Sequence, residues 1–176
     1  MNHGARSRLP GLEIAVASPA EPESTELISA LDTYLCALYP PGHNYLLSVQ
    51  ALLQPEVTFV VARADASVLG CGAVLRHGRE YVEIKRMFVR PWARGARVGE
   101  RVLRHLEELG RTEGFGVARL ETGVRQPEAL RLYDGPIYGA NSQLAFDMID
   151  ASALLWRLSL RGVDVGPRWR QLADNW

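Results

Sequence analysis

Residues 83–114, EIKRMFVRPWARGARVGERVLRHLEELGRTEG, constrain the fold more than any other part of the chain. Val82, Ile84, Met87, Phe88 and Val89 make an apolar pattern suited to a strand with a buried face, and Pro91 breaks it. A short basic loop follows, Arg94-Gly95-Ala96-Arg97-Val98-Gly99. Val98, Val102, Leu103, Leu106 and Leu109 then recur at helical spacing, and Gly114 stands where a C-terminal cap belongs. A strand therefore delivers the chain into a tight, positively charged turn at the start of a helix.

That arrangement suits an anion. The first backbone N–H groups of a helix lack intrahelical partners, and the helix dipole favours negative charge beside them. Gly95, Ala96 and Gly99 leave room for a bulky group to approach the backbone, and Arg94 and Arg97 can close on its oxygens. A pyrophosphate fits this description. So does the plainer reading of a surface helix with a Gly/Arg-rich lead-in.

The stretch resembles the GNAT acyltransferase superfamily, whose acyl-CoA-binding motif reads Arg/Gln-x-x-Gly-x-Gly/Ala between a strand and a helix. Arg94, Val98 and Gly99 match, and Arg97 stands where the family usually has Gly. The preceding VEIKRMFVRP and the following LETGVRQPEALRLY look like the family's flanking strand, strand and helix, so the resemblance spans residues 11–134. It implies an α/β fold of GNAT type: a mixed, mostly antiparallel central sheet flanked by helices, with a splayed parallel strand pair at the acyl-CoA site. It also implies acetyl-CoA as co-substrate, with its pyrophosphate on Arg94, Gly95, Ala96, Arg97, Val98, Gly99 and Glu100. The backbone of Met87, Phe88 and Val89 would face the thioester and pantetheine.

Taken in order, residues 1–10 read as a disordered tail and 12–17 as a short edge strand. Ser18 or Ser24 could cap a helix carrying the stripe Leu27, Ile28, Leu31, Tyr34, Leu35 and Leu38, which stops at Pro40-Pro41-Gly42. A short second helix ends by Pro55. In the family that region caps the acceptor side, which marks Tyr34, Tyr39, His43, Asn44 and Tyr45 as candidate pocket residues, although aromatic helix residues more often belong to the core. Strands over 57–64, 67–77 and 80–89, joined by Asp65-Ala66 and His77-Gly78-Arg79, form an antiparallel meander. Gly70 and Gly72 suggest a bulge or close packing. A strand over 117–122, reached through a helix, should run parallel to its predecessor, and Pro127 opens the helix PEALRLY.

Acetyl transfer to an amine needs a base for the amine, a donor for the oxyanion and an acid for the departing thiolate. No Gly-x-Ser-x-Gly elbow or other nucleophile motif is evident in the sequence. Glu83 stands where the resemblance puts a frequent catalytic carboxylate, and its alternative is an ion pair with Lys85 or Arg86. Tyr133, at the end of ALRLY, matches the family's acid, and its alternative is an ordinary helix-end aromatic. Glu121 and His43 are weaker options for holding the acceptor; His77 and His105 read as turn and helix-surface histidines.

Past Asp134 the resemblance stops. SQLAFDMIDASALLWRLSL shows helix-like spacing at Leu144, Met148, Ala151, Leu155 and Leu158, although its end could equally be a strand. Residues 135–176 therefore read as an atypical segment with three candidate roles: filling the end of the domain, adding a helix for a homodimer, or a frame-shifted remnant that leaves the sheet edge open. The last would make the chain a non-catalytic acyl-CoA-binding protein.

Composition narrows the rest. The 176 residues suffice for one domain, 47% hydrophobic and 23% charged, with zero formal net charge. Zero net charge argues against nucleic acid as a partner, even with Arg94, Arg97, Arg101 and Arg104 on one stretch. Cys36 and Cys71 lack metal-ligand spacing and read as two buried free thiols, so no metal is expected. With no apolar run long enough to span a bilayer and no leader-like N-terminus, the sequence reads as that of a cytoplasmic protein acting on a small-molecule or peptide amine.

Overall fold

Strands form over Val57–Ala64 (β2), Ser67–His77 (β3) and Tyr81–Val89 (β4), with Asp65 turning the first corner at a φ of 52° and Gly78 the second at 57°. The computed structural model describes residues 9–39, 46–133, 144–150 and 153–160. Around the meander lie β1 (Glu13–Val16), α1 (Pro22–Leu38), α2 (Val49–Leu52), α3 (Val98–Thr112), β5 (Val117–Gly123), α4 (Pro127–Tyr133), β6 (Leu144–Asp150) and β7 (Ala153–Ser159). The sheet runs in the order β1-β2-β3-β4-β5-β7-β6, with β4 and β5 parallel. The chain divides into two compact units, residues 1–73 with 86–105 and residues 74–85 with 106–176.

In the first unit α1 buries Leu27, Ile28 and Leu31 against Phe59 and Val61 of β2, Val68, Cys71 and Ala73 of β3, and Phe88 of β4. Each such side chain contributes about 1.5–3 kcal/mol on leaving water. The helix starts on Pro22, behind Glu21, with Glu23 in its first turn. Neither serine caps it: Ser18 Oγ accepts from the Ala20 N–H, and Ser24 is buried inside the helix. Tyr39 ends it with extended backbone, as a residue before proline must. Three acids of α1 pair with arginines, Glu23 with Arg63 of β2, Asp32 with Arg86 of β4, and Glu26 with Arg90 just past β4.

Gly70 permits a close approach in this unit. A Cβ there would lie 2.5 Å from the carbonyl oxygen of Phe88. The cysteines divide: Cys71 is buried, but Cys36 is exposed on α1, contrary to the expectation of two buried thiols. The α1 stripe is narrow, and position 36 falls on the side turned away from Leu27, Ile28 and Leu31.

In the second unit β5 pairs with β4 from Val82↔Ala118 to Ile84↔Leu120. Its other edge pairs with β7 along its whole length, Val117↔Ser159 through Gly123↔Ala153, and β7 pairs in turn with β6. Residues 144–150 and 153–159 are thus strands, so the helical spacing is overturned there and the strand alternative for the end of the segment is the one found. The open sheet edge expected of a remnant is overturned with it. Alternating apolar residues meet a ready row of β5 donors and acceptors, and that pairing outweighs the local period. Gly114 closes α3 at a φ of 97°, while Phe115 N–H reaches back to the Gly110 carbonyl at 3.0 Å. Among the described residues no helix is long and apolar enough to cross a membrane.

Gly70→Ala should cost about 1–3 kcal/mol in urea unfolding, because the obstructing Phe88 oxygen is backbone and cannot swing aside. Gly110→Ala, facing only side-chain methyls of Leu160 and Val82 at 3.0 Å, should cost less. Equal stability of Gly70→Ala and wild type would contradict this packing.

Candidate active site

The basic turn belongs to the first unit, and its backbone explains its residues. After β4 a single 3-10 turn, Pro91–Ala93, redirects the chain. Gly95 adopts a φ of 84° with open space around it, and Arg97 adopts 62°. The Arg97 carbonyl then accepts the first helical hydrogen bond of α3, from the Arg101 N–H at 3.1 Å. The amides of Val98, Gly99 and Glu100 precede that bond, so they are the donors a helix start offers. Arg97 sits where the family usually has Gly, and the reason is now visible: left-handed backbone costs a non-glycine residue roughly 1–2 kcal/mol.

Arg94 is exposed, its Nε donating to the Val89 carbonyl at 3.3 Å and its guanidinium lying 5.6 Å from the Tyr34 ring centroid. Tyr34, a candidate for the acceptor pocket, thus supports the arginine of the anion turn. Tyr39 is buried at the α1 terminus, and His43, Asn44 and Tyr45 lie outside the described residues. The Glu100 carboxylate pairs with Arg97 at 3.6 Å and Arg104 at 3.1 Å, so only its backbone N–H suits a phosphate. Arg101 donates to the Leu12 carbonyl at 2.6 Å. All four arginines that might have bound nucleic acid, Arg94, Arg97, Arg101 and Arg104, therefore have partners within the protein. The turn that remains, two glycines, exposed guanidinium groups and helix-start amides, fits a pyrophosphate.

Phe88 is buried in the α1 core, while Met87 and Val89 are half-buried. The parallel register of β4 with β5 ends at Ile84, before these residues. Between them Arg86 takes a φ of 57° within the strand, and its guanidinium reaches Asp32 and the Leu47 carbonyl. Arg86 is 7% exposed. It is therefore not the partner of Glu83.

Glu83 and Tyr133 belong to the second unit. Glu83 Oε1 lies 2.5 Å from Lys85 Nζ, and Oε2 lies 2.8 Å from His77 Nε2. His77 stacks on Tyr81, with centroids 4.4 Å apart, and the Arg119 guanidinium lies 3.8 Å from the Tyr81 ring. The sequence reading took His77 for a turn residue. The signal that finds it is the hairpin: the turn brings 77 back to 81, and Tyr81, Glu83 and Lys85 share one face of β4 by period two. Tyr133 is buried at the end of α4, and burial pushes its phenol above the usual tyrosine range. Burial likewise pushes the Cys71 thiol up to about 12, too high for a thiolate nucleophile. Among the described residues no group of three or more His, Cys, Asp or Glu could hold a metal ion.

The sequence model described as the Acetyltransferase (GNAT) family matches residues 25–134. The chain belongs to the GNAT acetyltransferase family. This GNAT protein is 43% identical over 126 residues to an "IAA acetyltransferase" of Azospirillum brasilense, across 71% of its own length and 82% of the relative's. A Klebsiella pneumoniae structure named for acyl-CoA N-acyltransferase superposes with a TM-score of 0.68 at 26% identity, over 85% of this chain and 97% of that one. The PaiA N-acetyltransferase of Thermoplasma acidophilum, solved with coenzyme A, shares the fold at a TM-score of 0.63 and 17% identity, over 84% and 98%. The structural likenesses take in more of the chain than the family model does. Acetyl transfer is the activity class of this GNAT chain.

Arg97→Gly should raise stability by up to about 1 kcal/mol, since glycine adopts positive φ freely. Thermal unfolding reads this directly, and a lowered Tm would show that the Arg97 side chain, through Glu100, matters more than the backbone strain.

Proposed function

We propose that this protein moves an acetyl group from acetyl-CoA to a primary amine of a small molecule or peptide, by direct attack within a ternary complex. The observation that carries the reading is the turn at Arg97, where exposed guanidinium groups and the amides of Val98, Gly99 and Glu100 gather at one helix start. The coenzyme A bound by the PaiA protein, which shares this fold, supports the same cofactor here. Residues 94–100 hold the pyrophosphate, and the backbone of Met87–Val89 faces the thioester arm. When bound, acetyl-CoA supplies the activated acyl carbon.

Glu83 serves as the base. Lys85 Nζ lies 2.5 Å from its Oε1, and a carboxylate oxygen is a group that accepts a proton. The amine nitrogen attacks the acyl carbon as its proton passes to Glu83, and the carbon–sulfur bond then breaks. Tyr133 gives its phenolic proton to the leaving sulfur and recovers one from solvent. Burial keeps the phenol protonated at working pH. It penalises a departing thiolate in the same sense, so the proton transfer between them is less affected than either group alone. The alternative, a non-catalytic acyl-CoA-binding protein with an altered C-terminus, is the less supported reading, because β7 pairs with β5 along its length.

Glu83→Gln and Tyr133→Phe test the roles. With acetyl-CoA and a panel of polyamine, aminoglycoside, amino acid and peptide acceptors, each substitution should lower kcat about 100-fold. The KM for acetyl-CoA should change little. Wild-type rates in either variant would remove that residue from the chemistry, and failure of the folded wild type to release CoA with any amine would contradict the reaction.

A further inference from the structure

A base that works through many turnovers must lose the proton it gains. A primary amine near neutral pH is an ammonium ion, and in becoming an amide its nitrogen gives up two protons, one before it can attack and one as it attacks, both to Glu83. The Glu83 side chain is only 15% exposed, with each oxygen engaged. On Oε1 sits Lys85, whose ammonium has three donors and no acceptor, so it fixes charge but takes no proton. On Oε2 sits His77, whose ring carries one nitrogen toward the carboxylate and is 36% exposed.

The ring is held, not loose. It stacks nearly parallel to Tyr81, 15° apart, and Tyr81 is covered in turn by the Arg119 guanidinium. Arg119 also stands opposite Glu83 in the β4–β5 register. The neighbouring Arg76 points to Glu113 beyond α3 at 2.6 Å. Three side chains from two strands thus fix an imidazole between a shielded carboxylate and water.

Resting on Glu83 as the base, we propose that His77 is its proton outlet. The ammonium N–H breaks as the Glu83 O–H forms. At rest the ring donates Nε2–H to the carboxylate; exchange with water shifts it to the Nδ1–H tautomer, whose Nε2 takes the proton as the Glu83 O–H breaks. The imidazolium then releases its Nδ1 proton to water, which restores the resting ring. Two protons leave the substrate nitrogen by this route per turnover and Tyr133 draws one back from solvent for the sulfur, so the net release is one proton, and no oxidant or further reactant is needed.

The test compares His77→Gln with His77→Ala, beside Glu83→Gln. A glutamine amide can still donate a hydrogen bond to the carboxylate but cannot accept its proton. The proposal expects both His77 variants to lose about 10-fold or more in kcat with the amine, glutamine faring no better than alanine. It also expects KM for acetyl-CoA to stay unchanged, and added imidazole to restore part of the His77→Ala rate. Circular dichroism checks that each variant folds; where alanine disturbs the fold, the glutamine variant alone decides. Near-wild-type turnover by folded His77→Gln, with Glu83→Gln slow, overturns the outlet and leaves the base in place. Fast turnover by Glu83→Gln overturns the base and the outlet together, as does a wild type that acetylates no amine.

Discussion

The turn at Arg97 sets what the rest of its unit can do. A strand and a helix meet there, and the residue whose carbonyl takes the first hydrogen bond of α3 turns left-handed, at a φ of 62°. Glycine would adopt that geometry without strain; this chain uses arginine. The strain of roughly 1–2 kcal/mol is not recovered locally, since a cation beside the positive end of a helix gains nothing from the dipole and its end of the pair with Glu100 is exposed; what the side chain adds is a positive charge at the turn. An anion met by both backbone donors and a positive side chain is bound more firmly than by either alone. The same choice that makes the fold locally less comfortable makes the turn better suited to phosphate.

A second left-handed arginine lies further back, on the strand that leads into this turn. Arg86 breaks the regular course of β4 and buries its guanidinium against Asp32 and the Leu47 carbonyl. A buried cation is costly unless paired, so Asp32 is the condition for Arg86 being there at all. Because Asp32 sits on α1, the pair links the strand leading to the anion turn with the helix whose Tyr34 lies under Arg94. Electrostatics and packing agree here, since the same helix buries Leu27, Ile28 and Leu31 against that unit's strands.

Much of this was readable from the amino acids. The limits of β2 and β3 followed from Asp65-Ala66 and Gly78, and Pro127 marked the start of α4, because turn residues and proline impose backbone angles wherever they stand. The turn at Gly95–Arg97 ahead of α3 was readable for the same reason. The C-terminal hairpin was not: residues 144–158 carry apolar groups at intervals compatible with either structure, and the deciding factor, the free edge of β5, lies some twenty to forty residues earlier in the chain. Around Glu83 the sequence offered Lys85 and Arg86 as equivalent partners. Positive φ at Arg86 sends that side chain elsewhere, a distinction composition does not carry. His77 was passed over as a turn histidine, although the count across the hairpin places it beside the face bearing Tyr81 and Glu83.

Calorimetric titration with acetyl-CoA, comparing wild type with an Arg94→Ala/Arg97→Ala double variant, tests the central claim most directly. Loss of charge-assisted hydrogen bonds from two guanidinium groups should weaken binding by about 10-fold or more while the protein stays folded. Equal affinity in the two folded proteins, or no binding by the wild type, would contradict an acyl-CoA pyrophosphate site at the Arg97 turn.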